Sequence, residues 1–356
     1  MPLTLASINE IEADWQNLLD NSIEQTVYLS PWFVSTTLEL FRNPKTDLIL
    51  VYHKAELIGL VLLESDKGYA KLPVGFLKNS IHPHQFLGTP LVRANSADLF
   101  ATGLYSYLDT SRLVDAFILI RDITDKSEIA VALERVANSQ GRRLVETNKF
   151  ERAMIMRRDE HSVQISKNRR KSLNRKRKAL SEIGTITIER LSNVADAQFW
   201  FEDFARLENT GWKQKQKTSI AENPNDYDSY LQLVPAAIQN NALNFFRLKI
   251  NDKPISYTID FKSGDFIYCH RCAYDLEYKK YTPGVLMEYE TLKFYTEKSL
   301  NMTVDSCTSP QNDLLNELWP DKKPIVTIAV SKTGFFYTSI FSFIHWLKAM
   351  LKKSKT

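Results

Sequence analysis

Between residues 242 and 274 the chain reads ALNFFRLKI, NDKP, ISYTIDFK, SG and DFIYCHRCAY in succession. Three runs rich in β-branched and aromatic residues are parted by turns too short for any crossover. Such turns join antiparallel neighbours only. The segment is therefore a three-stranded meander, which no all-helical or all-parallel fold can contain. The next stretch, YKKYTPGVLMEYETLKF, places Lys279, Lys280 and Thr282-Pro283-Gly284 between the third strand and a run with helical spacing over 285–298. Two readings fit it. One is a plain turn with solvated lysines. The other is an anion seat, in which the unpaired amides of a helix start face a phosphate.

The flanking elements extend the pattern. Residues 162–183 read as a helix stopped by Gly184, 185–190 alternate as a strand, and 195–210 and 227–239 read as helices. Beyond the helix at 285–298 come a strand at 302–305, a short helix near 313–318 and a strand at 324–330. The order β-α-α-β-β-β-α-β-α-β is that of an α/β chain on a mixed sheet. The first half repeats the plan loosely, with helices at 8–19, 31–41, 95–108 and 126–139 and strands at 48–53, 57–64 and 114–121. HKAELIG and INDKPIS each set a tight charged turn between apolar strands, which points to a duplication. A chain of 356 residues exceeds one usual core. Two domains are expected, 1–158 and 159–332, followed by an amphipathic basic tail helix at 333–356.

Charge is concentrated in one place. Residues 167–178, KNRRKSLNRKRK, hold eight basic and no acidic residues; the formal +4 of the chain less these eight leaves −4 elsewhere. Three cysteines, Cys269, Cys272 and Cys307, are too few and too odd in number for a disulfide framework and suit a reducing compartment. Cys269 and Cys272 lie three apart on a strand and face opposite sides, so no metal site is expected. His82 and His84 fall in a loop and are expected to be solvated. The start of the chain lacks the charged and apolar regions of a signal peptide, and the apolar stretch from Gly334 is interrupted and short of a membrane span. A cytoplasmic protein is expected.

The order of elements over 185–330 resembles the GNAT acyltransferase fold. YDLEYKKYTPGVLMEYETLKF resembles the strand–loop–helix region of GNAT proteins of the CelD/BcsL type, relatives of the FemX/FemAB peptidyltransferases, which often carry Tyr-Ser-Pro-Gly where this chain has Tyr281-Thr282-Pro283-Gly284. LSPWFVSTTLELF, from Leu29, is similar to their N-terminal entry segment. LENTGWKQKQKTSI is similar to their Glu-x-x-x-Trp-Lys segment through Glu208, Trp212 and Lys213. The resemblance implies two tandem GNAT-like domains, the first degenerate, with acyl-CoA (acetyl-CoA) as co-substrate and no metal. It places the phosphate loop on Lys279, Lys280, Tyr281, Thr282, Pro283, Gly284 and Val285, and acceptor binding on Trp212 and Lys213. The loop departs from the family's Arg/Gln-x-x-Gly-x-Gly/Ala in having Lys279 for the first residue and Thr282 for the first glycine. After Asp305 the chain also lacks the glycine and Tyr-Lys that many relatives carry.

GNAT chemistry aligns an amine or hydroxyl with a thioester, removes a proton and polarises the carbonyl. His270 on the third meander strand, Asp305 at the end of the next strand and Glu208 before Trp212 are the residues whose chemistry suits the proton or the acceptor; each can equally be a packed or solvated polar group. The implied activity is acyl transfer to an amine or hydroxyl of an envelope saccharide or similar metabolite. Two others stay open: an aminoacyl-tRNA-dependent transferase of FemX kind, and a non-catalytic GNAT-like scaffold. In the basic helix, Ile165, Leu173, Leu180 and Ile183 can share one face, leaving the cations to solvent or to a polyanion such as tRNA or anionic lipid. No aromatic residues interleave those charges, which weighs against stacking on single strands. In the tail, Phe336, Ile340, Phe343, Ile344, Leu347 and Leu351 follow helical spacing with Trp346 and Lys348, Lys352, Lys353 and Lys355 at the end. This suits either docking on protein or lying in the surface of an anionic membrane, at its inner face.

Overall fold

The computed structural model describes residues 1–41, 45–69, 72–112, 114–157, 165–296 and 300–353, leaving aside the side chains at 212, 313, 314, 317, 349 and 351–353. The chain opens with α1 (Leu5–Asp20) and α2 (Pro31–Phe41), then β1 (Asp47–His53), β2 (Glu56–Lys67), β3 (Gly75–Asn79) and β4 (Leu91–Val92). It continues with α3 (Ala97–Thr110), β5 (Asp115–Thr124), α4 (Glu128–Ser139) and β6 (Leu144–Ile155). Next come α5 (Lys167–Ser181), β7 (Ile186–Arg190), α6 (Ala197–Glu208), α7 (Trp212–Lys215) and α8 (Pro224–Gln239). The meander is β8 (Leu243–Ile250), β9 (Lys253–Ser263) and β10 (Phe266–Tyr274), followed by α9 (Pro283–Thr296), β11 (Thr303–Asp305), α10 (Asp313–Leu318), β12 (Asp321–Ser331) and α11 (Phe335–Lys353).

Two compact units divide the chain: Met1–Glu151 with Pro324–Thr356, and Arg152–Lys323. In the first, β1, β2 and β3 are antiparallel in turn, β3 runs parallel to β5, and β5 pairs antiparallel with β12. The strand read at 324–330 thus sorts with the first half of the chain, because its apolar run pairs with β5. The turn between β1 and β2 carries Lys54 and Ala55 at positive φ, the backbone twist that a tight hairpin needs. Phe100, Leu104 and Leu133 from α3 and α4 close one face of this sheet together with Ile118, Ile120 and Ile328. His82 and His84 are buried rather than solvated: His82 stacks on Phe33 at 5.7 Å and its Nδ1 accepts the amide of His84 at 3.2 Å.

In the second unit the meander forms as expected, with β7, β8, β9 and β10 antiparallel in sequence. β11 runs parallel to β10, and its other edge meets Met154 and Ile155 antiparallel. Both units are mixed α/β structures on mixed sheets, in agreement with the fold expected from the order of elements. The helix α5 begins at Ser166, whose hydroxyl accepts the amide of Arg169 at 3.3 Å. Leu173 and Leu180 bury into the core beside Ile165, whereas Ile183 lies beyond the helix end and is exposed. The cations of α5 therefore ring a helix anchored by two leucines. No helix among the described residues is long and apolar enough to cross a membrane.

Candidate active site

The second unit's sheet splits at one point. β10 and β11 pair only over Phe266–Thr303, Ile267–Val304 and Tyr268–Asp305. β10 then continues to Tyr274 with β9 on one edge and no β11 on the other. Every second amide along this stretch is turned away from β9, toward the split. A bulge sits at its start: Cys269 opposes Asp260, Arg271 opposes Ile259, and His270 is the extra residue. Its amide is taken by the carboxylate of Asp260. Bulges bend and twist a strand, which helps β10 leave β11.

The segment after β10 is a turn of 3-10 helix, Leu276–Tyr281, rather than a plain loop, capped by Asp275, whose Oδ1 accepts the amide of Glu277 at 2.9 Å. Thr282 follows in the left-handed region, φ 53° and ψ 54°. A β-branched residue seldom adopts this backbone. It stands where the pattern the loop resembles has glycine, the residue that takes this backbone without strain. The turn aims α9, which starts at Pro283. Leu286 N–H bonds Thr282 O at 3.1 Å, while the amides of Gly284 and Val285 have no partner among the described residues. Gly284 lies against the ring of Tyr274: a Cβ there would stand 3.1 Å from its Cδ1. Lys279 and Lys280 are exposed beside this helix start. Lys280 Nζ lies 4.9 Å from the Tyr281 ring centre, and the Lys280 carbonyl accepts Lys176 Nζ from α5. Arg177 of α5 also reaches Glu290 at 3.0 Å. Thr282→Gly should release the backbone strain and raise unfolding free energy by up to about 1 kcal/mol in urea titration. A loss of stability would show that the threonine side chain, not the strain, dominates there.

A group of acids that the sequence reading missed lies between the meander and α9. Asp260 accepts Tyr295 Oη at 2.6 Å and Thr258 Oγ1 at 3.0 Å. Burial nevertheless pushes its carboxyl up to about 6. Glu288, one and a half turns into α9, is pushed up to about 8, first by burial and then by the charge of Asp260. Its Oε1 is buried with no hydrogen-bond partner among the described residues. Burial also holds the Cys269 thiol well above its ordinary value, and the charges of Asp260 and Glu288 push it the same way. Burial thus favours the protonated form of Glu288, which lies close enough to Cys269 and Cys272 of the split strand to bear on both. No periodicity marks it, because a charged residue at a half-buried helix position looks like any surface glutamate.

The residues expected for proton transfer are distributed differently. Glu208 is buried and fully engaged: Lys213 Nζ at 2.5 Å, Arg271 Nη1 at 3.1 Å and the Ile220 amide at 2.7 Å. Burial would raise its pKa, but Lys213 and Arg271 outweigh burial and hold the carboxyl below its ordinary value. It is an anchor for two cations rather than a free base. Lys213 also donates to the Cys272 carbonyl at 2.8 Å, bracing the end of β10. Asp305 has no exposed surface; it accepts both Arg152 Nε and Nη2 at 2.7 Å, and Lys323 Nζ lies 3.1 Å away. It therefore cannot receive an acceptor amine. His270 is buried on the side covered by α6 and α8, where its Nδ1 shares a hydrogen bond with the hydroxyl of Tyr230 and its ring meets Phe261 edge-on at 4.8 Å. The side chain of Trp212 lies outside the described residues. Glu208 and Lys213 come together as the sequence suggests; His270, Asp305 and Glu208 do not form one constellation. Among the described residues no group of three or more His, Cys, Asp or Glu side chains is arranged to hold a metal.

Residues 167–312 match the sequence profile of the family described as Acetyltransferase (GNAT) domain. No curated protein matches the chain in sequence. Among solved structures, a conserved protein of unknown function from Bacteroides thetaiotaomicron superposes with a TM-score of 0.60 at 13% identity, covering 93% of this chain and 99% of that one. FemX superposes with a TM-score of 0.56 at 12% identity, over 92% and 96% of the two chains. L-PGS from Bacillus licheniformis gives 0.53 at 12%, over 94% and 96%. At such identities these likenesses establish a shared fold.

Proposed function

We propose that this chain, which carries a GNAT-fold acyltransferase domain over residues 167–312, moves an acyl group, acetyl in the simplest case, from acyl-CoA to an amine or hydroxyl. The acceptor class, an envelope saccharide or similar metabolite, follows from the resemblance to the CelD/BcsL type. One observation carries the donor side: after a left-handed Thr282, the amides of Gly284 and Val285 at the start of α9 have no partner among the described residues, and Gly284 lies against Tyr274 at the end of β10, where β10 has lost its neighbour. Helix-start amides and two exposed lysines are what a diphosphate requires. The outward amides of β10 suit a thioester carbonyl, stabilising the oxyanion as the acceptor attacks. Glu288 suits the proton, since a carboxyl near 8 is well matched to taking one up and releasing it at neutral pH.

Titration calorimetry with CoA tests this reading. The wild-type chain should bind, and Gly284→Glu, which sets a carboxylate at the positive end of α9, should weaken binding at least about tenfold with the melting temperature little changed. No heat of binding at millimolar CoA in the wild type would remove acyl-CoA as donor. A second reading has an observation of its own. The cationic α5 is tied to the same turn through Lys176 and the Lys280 carbonyl, which suits a donor carried on a polyanion, and FemX and L-PGS share the fold. Here the acyl group is an aminoacyl group on tRNA. Transfer from charged tRNA, lost when Arg170, Lys171 and Arg175 are changed together to alanine, would favour it; absence of transfer would leave acyl-CoA.

A further inference from the structure

In the first unit, α11 has two faces of similar hydrophobicity, and only one of them is covered. Phe341 and Ile344 are buried against Tyr69, Phe76 and Phe117. His345 is held on the same side, 3.3 Å from Tyr69 Oη, and Lys348 Nζ donates to that hydroxyl at 2.8 Å. On the opposite side Phe335 is 88% exposed, Phe336 67%, Phe343 57%, Trp346 57% and Met350 52%. At 100° per residue these five fall within an arc of about 100°, running the length of the helix. Single exposed apolar residues are ordinary, but a contiguous stripe of aromatic residues marks a surface that is covered in use.

We propose that this stripe seats the protein on the surface of an anionic lipid bilayer, with α11 lying in the plane of the headgroups. The chemistry favours a bilayer over a protein partner on two counts. The stripe is almost wholly Phe and Trp with one Met, the residues that rest at the boundary of headgroups and acyl chains. The charge is of one sign: from Thr333 to Thr356 the sequence has no Asp or Glu and carries Lys348, Lys352, Lys353 and Lys355. Lys348 is turned inward to Tyr69, so the attraction to anionic lipid falls to the lysines after Met350. The buried side fixes the helix to the unit through Phe341 and Ile344, so the stripe faces away from the unit's core. The inference does not depend on the reading of the transfer site, and its test involves no substrate.

Vesicle flotation of the full chain decides it. With phosphatidylcholine vesicles containing about one third phosphatidylglycerol the protein should float, and with pure phosphatidylcholine much less, with binding falling as salt rises. The exchange Phe343→Ser with Trp346→Ser touches only the exposed side; it should cut the bound fraction about tenfold or more while leaving the melting temperature unchanged. Lys352→Glu with Lys353→Glu should weaken binding to the anionic vesicles specifically. The proposal is overturned if the wild type stays out of the lipid layer, or if the Phe343/Trp346 double variant floats as well as the wild type. It is equally overturned if sedimentation shows a dimer that this variant disperses while no vesicle binding is seen, since a second copy of the chain would then cover the stripe.

Discussion

Glu288→Gln is expected to lower kcat by about a hundredfold or more, with CoA affinity nearly unchanged. Glutamine keeps the shape of the side chain and removes its only proton-transfer capacity. The substitution therefore separates positioning from proton uptake: a loss in kcat alone, together with disappearance of the pH-rate limb near 8, assigns the proton to this carboxyl. An unchanged kcat would remove Glu288 from the chemistry and leave it a buried oddity. The same variant has a stability signature with a definite sign. Burial and the charge of Asp260 push the folded-state carboxyl of Glu288 up to about 8, above its ordinary value of 4.5. Between those values the folded protein holds a proton that the unfolded chain has released, so the wild type loses stability as pH rises through that window. Glutamine cannot ionise. Its melting temperature should match the wild type near pH 4.5 and exceed it at pH 8, the gap widening steadily in between. Asp260, pushed up to about 6, adds a smaller decline of the same sign over the lower part of the range in both proteins.

Arg152→Met should cost about 3–5 kcal/mol in urea denaturation at pH 7, because it leaves a buried carboxylate without its bidentate partner. Asp305 has both oxygens on Arg152, a further contact from Lys323 at 3.1 Å and one from the Cys307 amide at 3.0 Å. Burial alone would raise its pKa; Arg152 and Lys323 outweigh burial and hold the carboxyl well below its ordinary value of 3.8. The stabilisation is therefore complete above about pH 4 and is lost as pH falls further, through the folded-state pKa. With Asp305→Asn added, the double variant should be less destabilised than the two single effects combined, since the pair shares one interaction. A single-variant loss under about 1 kcal/mol would mean that Lys323 and the loop amide suffice to hold the charge.

Much of the second unit could be read from local chemistry. Asn251 at positive φ and the two-residue Gly264-Asp265 turn, with Gly264 at positive φ, define the meander within a few residues of chain, and the Pro-Gly after it announces a helix start. Leu173 and Leu180 of the basic helix docked as their periodicity suggested, whereas α11 divides the residues expected on one spacing: Ile344 is buried and Ile340 packs beside it, while Phe336 and Phe343 are exposed on the opposite side. β3 and β6 are the exceptions. β3 is five residues long, and the first half of β6 is polar and largely exposed, so neither carries an alternating signal.

What the sequence determined by itself is the inventory: an antiparallel meander leading into a capped helix, a cationic helix and an amphipathic end, all set by interactions spanning a handful of residues. Only the tertiary structure decided the electrostatics. Arg152 and Asp305 lie 153 positions apart, Glu208 meets Arg271 across 63, and the elevated proton affinity of Glu288 in α9 comes from burial beside Asp260 of β9. Turn chemistry and periodicity are local and survive in the order of residues, whereas desolvation and charge pairing belong to the packed chain and exist only once distant segments meet.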